Sequence, residues 1–386
     1  MKAKFLQRLA VAFCTCSLLS VAGCATQPGD DGEPVVAQDV AVSRDTSFGG
    51  VYINLTIDQF NELGFAYGDS VDVEFSNGYE LKDIPYFNGY YVNVGDPLLV
   101  GYPGYPYVEA ALNYGDPLWD TAGLSDTDTA TATLGESGKY LNAQEAFDIS
   151  YTNERADYDS DAQFANFRAL SGGKMAEDAW YRSASPVDNE YGRASYVNAL
   201  AEQANVGYVL DLSDSEDEVA DFLREDAKAN VDVSYFEKLH NAGAVATPDL
   251  SAAYPSDSFK KDLATALADL CKHDGPYLVH CIEGKDRTGF VCALLEGLSG
   301  ASYDQIASDY MKTFENYYRI TEQSDPDKYH AIADLNLDGM LSYLAGCERD
   351  ADMSQMDFSE AAASYLRDGG MSESQIELLK SKLCGK

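Results

Sequence analysis

The chain has 386 residues, 45% hydrophobic and 12% aromatic, with 64 acidic against 27 basic side chains and a formal net charge of -37. That composition is globular rather than disordered or collagenous, and the length predicts two to three domains of about 150 residues each. So acidic a surface repels phosphate backbones and excludes nucleic-acid binding through a basic footprint; an anionic substrate has to be captured by a local cluster of positive groups.

At the N-terminus, Lys2, Lys4 and Arg8 precede a short apolar run from Leu9 to Val21 that ends in Val21-Ala22-Gly23-Cys24. A basic start and a short apolar core are the marks of an export signal; the run is too short to span a membrane. The small residues before Cys24 resemble the lipobox of bacterial lipoproteins. That resemblance implies cleavage after residue 23, lipidation of Cys24 and an extracytoplasmic protein anchored to the cell membrane. Residues 24–47, rich in Gly, Pro, Asp and Ser, are expected to be a flexible tether. Cys14 and Cys16 leave with the signal, so Cys271, Cys281, Cys292, Cys347 and Cys384 remain. An odd, widely spaced set predicts at least one free thiol.

The segment 48–152 alternates apolar and polar residues around Val71, Val73 and Phe75, with Asn-Gly turns at 77–78 and 88–89. It predicts a small β-rich domain with one short helix at Thr56 to Leu63. The run from Asn88 through Gly95-Asp96-Pro97 and Gly101-Tyr102 to Glu109 resembles the small β-barrel domain of adenosyl-halide and adenosyl-hydroxide transferases. That implies a barrel-like fold and carries no activity with it. The cluster Tyr102, Tyr105 and Tyr107 is assigned to core and turn packing.

From 153 to 350 the pattern becomes α/β. Apolar runs at 206–210 and 277–279 predict strands, and Phe259, Leu263, Ala266, Leu267 and Leu270 share one helical face. The acidic run from Asp214 to Asp226 predicts a solvated helix start with Ser213 as its N-cap. Asp334-Leu335-Asn336-Leu337-Asp338-Gly339 opens like a calcium loop, but its twelfth position is Ala345 rather than a bidentate Glu, so a helix is expected there. A helical extension is expected over 351–386.

Chemistry concentrates in His280-Cys281-Ile282-Glu283-Gly284-Lys285-Asp286-Arg287-Thr288-Gly289, between the strand at Tyr277 and a helix from Phe290. A turn after a strand can wrap backbone N–H groups around phosphate oxygens, and the following helix adds its positive end. The Arg287 guanidinium can hold two oxygens at once. The same field favours a thiolate at Cys281, suited to attack phosphorus, and Thr288 can donate a hydrogen bond to that sulfur.

This Cys-x5-Arg segment resembles the signature of cysteine-dependent tyrosine phosphatases, in the His-Cys-x-x-Gly-Lys-Asp-Arg-Thr-Gly form of the bacterial tyrosine/lipid phosphatases. Asn166-Phe167-Arg168, Tyr181-Arg182-Ser183 and Val209-Leu210-Asp211-Leu212 occur in the family's order. The resemblance implies a mixed sheet flanked by helices, with Cys281 as nucleophile, Arg287 as phosphate clamp and Lys285 as a second cation. Asp286 is the candidate general acid and base, with Asp211 and Asp214 as alternatives. His280, Ile282, Glu283, Gly284, Lys285, Thr288 and Gly289 complete the expected substrate-binding loop, with His280 ordering it through hydrogen bonds. No metal or cofactor is required. The expected substrate is a phosphorylated protein, or a lipid phosphate such as a phosphoinositide. The alternatives are an inositol polyphosphate phosphatase and a non-catalytic surface binding lipoprotein with a vestigial phosphatase fold. Cys271 and Cys292, on apolar helix faces, are assigned to packing.

Overall fold

Two β layers organise the chain. In the computed structural model, which describes residues 34–46, 49–348 and 351–385, the first is a closed barrel of seven strands: β1 (Val36–Arg44), β2 (Val51–Ile53), β3 (Ser70–Phe75), β4 (Glu80–Phe87), β5 (Pro97–Val100), β6 (Val108–Leu112) and β7 (Thr129–Leu134). Their order is β1-β2-β6-β5-β4-β3-β7, every pair antiparallel except β4 with β5. Alternate residues Val71, Val73 and Phe75 turn inward and are buried. The helix expected at Thr56 to Leu63 is Ile57–Glu62, started by a capping box between Thr56 and Gln59; it is not alone in the segment, since Leu118–Thr121 and Leu141–Phe147 are also helical.

The expectation of a tether over 24–47 is corrected at its C-terminal part. Val36–Arg44 is the strand that closes the barrel, pairing with β2 on one side and β7 on the other. Its register shifts between Ala37 and Val40, and Asp39 sits at φ 51°. That bulge breaks the period-two pattern by which a strand is read from sequence. Cys24 and the export signal lie outside the described residues.

The second layer is a five-stranded sheet of β8 (Arg168–Ala169), β9 (Trp180–Ser183), β10 (Tyr208–Asp211), β11 (Val245–Ala246) and β12 (Tyr277–His280), in the order β11-β10-β12-β9-β8. The first four of these neighbours run parallel and only β8 is antiparallel. Parallel strands are buried on both faces, and all four residues of β12 are buried. From β12 the chain passes through five residues into the helix Asp286–Leu298, whose residues from Thr288 onward are all buried. A helix apolar all round belongs at the centre of a fold, and this one carries the loop of interest at its N-terminus.

Three other expectations change. The acidic helix Glu216–Phe222 is capped by Ser215 in a capping box with Glu218, not by Ser213; the Ser213 hydroxyl is taken by Asp211. Ala146 and Phe147, expected within the β-rich domain, lie in the same core as the phosphatase-like helices, with Tyr91 of the barrel stacked on Phe147 at 5.0 Å. The C-terminal segment is no appendage. Helices Phe358–Asp368 and Glu373–Leu383 bury Phe358, Leu366, Ile376 and Leu379 in the core that surrounds the 286–298 helix. The 334–339 run is helical as expected, as a π-helical turn over Ala333–Asp338. No helix among the described residues is long and apolar enough to cross a membrane.

If the C-terminal helices are structural core, Leu366→Ala should cost about 2–5 kcal/mol, as large-to-small changes in cores do, and as much as Leu294→Ala. Urea denaturation of both variants checks this; a loss below about 1 kcal/mol at Leu366 with a full loss at Leu294 would return the segment to an appendage.

Candidate active site

The loop from Cys281 to Lys285 has its carbonyls tied outward. Ser185 N donates to the Ile282 carbonyl at 3.0 Å, the Tyr317 hydroxyl to that of Glu283 at 2.7 Å, and Arg182 and Asn166 to that of Gly284 at 2.8 and 3.1 Å. A peptide unit whose C=O is held on one side presents its N–H on the other. Among the described residues no protein acceptor takes the amides of Ile282 to Arg287, so the loop is a ring of free donors at the N-terminal end of a 13-residue helix. That is a ready-made oxyanion cradle. Gly284 is required in it: its φ is +68°, and a Cβ there would lie 2.1 Å from the Ser183 carbonyl oxygen. Gly289 is also close-packed, with a Cβ position 2.8 Å from the Tyr310 ring.

Behind the loop stands a buried charge network. Asp309 bridges Arg168 at 2.6 Å and Arg182 at 2.5 Å. Burial pushes its carboxyl up, but the two guanidinium groups hold it below the usual range. Asn166, at φ +50°, joins Arg168 to Asn316 and to the loop. Glu296, fully buried, has both oxygens without a hydrogen-bond partner, and burial next to Asp309 raises its carboxyl well above normal. Arg168 and Arg182 were visible in the sequence as parts of motifs. Asp309, which locks both, was not.

The individual loop residues separate into groups. Cys281 is buried, 4% exposed. Thr288 is fully buried, and its hydroxyl has no partner, leaving a donor free on the first helical turn. Arg287 is steadied by one bond, from Nη1 to the Leu250 carbonyl at 3.0 Å, and Leu250 is itself tied to Leu212 at the end of β10. Ile282 is half-buried. Glu283 turns away from solvent, bonding the Tyr151 hydroxyl and lying 3.4 Å from Lys285 Nζ. Burial works against the Lys285 charge, yet Asp286, Glu283 and the flanking tyrosines hold its pKa well above the ordinary value. Lys285 is therefore a cation already compensated. Tyr151 stacks on Tyr317 at 5.0 Å, and the Arg193 guanidinium lies over both rings.

The three aspartates differ in access. Asp286 is exposed, with 62% of its side chain accessible, and 3.9 Å from Lys285. Asp211 is fully buried at the end of β10, in register with His280, and its Oδ1 takes the amides of Ser213 and Asp214. Asp214 is 4% exposed. Burial raises both carboxyls, and the proximity of Asp211 raises Asp214 further. His280 is fully buried, with Nε2 3.8 Å from Asp211; burial lowers its pKa to about 4. Its ring packs edge-on to Phe236, and a contact with the Cys281 backbone works against the lowering by burial. Cys271, Cys281, Cys292, Cys347 and Cys384 are all free thiols, and burial pushes Cys271 up to about 11, as suits a packing residue.

A Cys-x5-Arg loop between a buried parallel strand and a central helix, with its amides free and its carbonyls clamped, is built to hold an oxyanion. The chain belongs to the tyrosine phosphatase family, whose model matches residues 162–385. It is 29% identical over 126 residues to the triple specificity protein phosphatase PtpB of Mycobacterium tuberculosis, covering 28% of this chain and 44% of that protein; the match thus spans less than half the length of this curated relative. A solved structure of an uncharacterized conserved protein from Thermotoga maritima is similar over 29% of this chain and 42% of that one, at 21% identity and a TM-score of 0.21.

The buried acids make a pH signature. A carboxyl whose pKa is raised by folding stabilises the fold below its unfolded value, near pH 4, and loses that contribution as pH rises through the folded value. A histidine lowered to about 4 has the opposite sign, costing stability as pH falls from about 6.5. The two oppose each other between pH 4 and 6.5, and above 6.5 only the carboxyls act. Thermal stability should therefore fall from pH 6.5 to 8.5. Asp214→Asn should flatten that fall and raise the melting temperature at pH 8.5 by about 2–4 °C per kcal/mol recovered, each pK unit being about 1.4 kcal/mol. Parallel melting curves for both proteins across that range would count against a buried, protonated Asp214.

Proposed function

We propose that this member of the tyrosine phosphatase family hydrolyses phosphotyrosine-type phosphate monoesters through a cysteinyl-phosphate. The observation that carries the reading is the loop itself, with free amides, an N-terminal helix dipole and Arg287 converging where Cys281 is buried. Cys281 Sγ attacks phosphorus as a thiolate, the S–P bond forms and the P–O bond to the leaving group breaks, while Asp286 gives that oxygen its proton. Water then attacks the cysteinyl-phosphate, passing a proton to Asp286; the S–P bond breaks, inorganic phosphate leaves, and Thr288 can stabilise the returning thiolate by donating its free hydroxyl proton as a hydrogen bond. The chemistry is complete without a metal.

Access favours Asp286 as the acid and base. It is the exposed aspartate of the three, whereas Asp211 and Asp214 are enclosed. Substrate charge is a separate issue. A second free cation at the loop would suit phosphoinositides or inositol polyphosphates. Lys285, however, is paired with Glu283 and lies near Asp286, which supports a substrate carrying one phosphate. The N-terminal sequence supports an enzyme held outside the cytoplasm through a lipid on Cys24, acting there on phosphorylated protein.

The test is turnover of an aryl phosphate by purified protein in reductant and chelator, beside Cys281→Ser, Arg287→Lys and Asp286→Asn. Wild-type activity should be lost in Cys281→Ser and reduced at least about 100-fold in Arg287→Lys, because a point charge does not replace a planar fork. Asp286→Asn should fall about 100- to 10,000-fold, the range for loss of an acid–base group, and lose one limb of the pH profile. Equal activity in Cys281→Ser would sink the thiol mechanism, and phosphopeptide binding without turnover would favour a non-catalytic binding protein. Faster turnover of inositol polyphosphates than of phosphotyrosine peptide would reverse the assignment of substrate class.

A further inference from the structure

A cavity of about 220 Å³ lies beside the candidate phosphate loop, and its walls come from both β layers. Asp286 and Arg287 border it on the loop side. Its floor is aromatic and apolar, formed by Tyr254, Phe259, Phe290, Tyr310 and Met340, with Tyr254 stacked on Phe290 at 4.4 Å. The facing wall belongs to the barrel, through Tyr90, Val92, Asn93, Asn113 and Tyr114. Nothing in the phosphatase chemistry described above uses these barrel residues.

Tyr114 is the feature of that wall that calls for a reason. It stands after β6 at φ +49°, a conformation that a bulky side chain adopts only at a cost. The residue as a whole remains 49% exposed, so it is not held there by a place in the barrel core. The turn that holds it is tied by hydrogen bonds. Gly115 N donates to Leu112 O and Gly95 N to Asn113 O, and Asn113 Nδ2 donates to Val92 O at 2.6 Å. The ring faces the loop charges: desolvation in the cleft is the largest effect on its phenol, and Asp286, Arg287 and Lys285 all act on it. Beside it the Asn93 side-chain oxygen is buried without a partner, an acceptor available to an N–H or O–H group.

Size selects among occupants. An apolar cavity of about 150 Å³ is enough for benzene, and small-molecule pockets begin near 300 Å³. The space here suits one aryl group and little more. Taking the proposed phosphatase reaction as its premise, we infer that the barrel forms one wall of the substrate site and that this cavity receives the aryl leaving group of the phosphate monoester, stacked against Tyr114. The barrel is then a specificity element, selecting aromatic over aliphatic or sugar phosphates, with Arg287 at the junction between the phosphate cradle and the aryl subsite.

The experiment compares kcat/KM of the purified full-length protein for phenyl phosphate and 2-naphthyl phosphate. Tyr114→Asn removes the ring and places there a residue that tolerates positive φ, so its melting temperature should not fall. Aromatic contacts of this kind are worth roughly a two- to tenfold change in affinity. Tyr114→Asn should therefore lower the naphthyl-to-phenyl selectivity ratio by about three- to tenfold, mainly through KM. Tyr114→Phe should keep the ratio, and Val92→Trp, which fills the cavity from the barrel side, should lower it. A ratio unchanged in both Tyr114→Asn and Val92→Trp, with phenyl phosphate turned over by the parent protein in a Cys281-dependent manner, overturns the aryl subsite and leaves the phosphatase reading intact. Absence of Cys281-dependent turnover of either ester overturns both.

Discussion

The hydrogen bond from Arg182 to the Gly284 carbonyl is the constraint on which the loop depends. A phosphate cradle needs peptide N–H groups pointing inward, and the backbone reaches that state only if the opposed carbonyls have partners elsewhere. Arg182 can serve Gly284 because Asp309 fixes its guanidinium from the other side, and Gly284 can approach β9 so closely because it lacks a side chain. The sheet contributes through register. β12 pairs with β9 so that His280 lies opposite Ser183, bringing the residues that receive the loop to the carboxyl ends of parallel strands, where α/β sheets bind ligands.

The cost of this arrangement is a core with many buried ionisable groups. Arg168, Arg182, Asp309 and Glu296 are taken out of water together, and buried charges of this kind persist only where they are paired and hydrogen-bonded; Asp309 lies between the two guanidinium groups and pairs with both. Burial and the nearby Asp309 push the Glu296 carboxyl up, against the pull of Arg182 and Arg168. A second buried set stands at the end of β10, where burial raises the carboxyls of Asp211 and Asp214 and lowers His280. Each set is adjacent to the loop in sequence or hydrogen bonding, so strain and desolvation gather around the site while the helical core behind it is apolar.

How much of this was legible in the sequence follows from where the information sits. The motif is ten contiguous residues, so its chemistry reads directly from His280 to Gly289, and its strand and helix follow from apolar runs. Asp309 acts across the fold on Arg168 and Arg182, and nothing local distinguishes it from other aspartates on an amphipathic helix. β1 was hidden because its bulge at Asp39 breaks alternation, and the C-terminal helices because amphipathic periodicity says that a face is buried but not against what. Nothing local to Glu283 shows where its side chain goes; its partner Tyr151 is 132 residues away.

Net charge then limits how substrate is selected. At -37 the protein repels anions at a distance, so long-range attraction cannot concentrate a phosphate at the loop, and Lys285 adds little because Glu283 and Asp286 oppose it. Holding a phosphate must rest on short-range elements that are fixed before it arrives, namely the loop amides, the helix end and Arg287. Interactions of that kind bind any phosphate monoester about equally well, because they see only its oxygens. Discrimination among esters has to come from contacts with the leaving group. At this site the surfaces available for such contacts are the aromatic floor behind Phe290 and the rim of the barrel at Tyr114, which gives a barrel joined to a phosphatase layer within one compact unit a physical reason to be there.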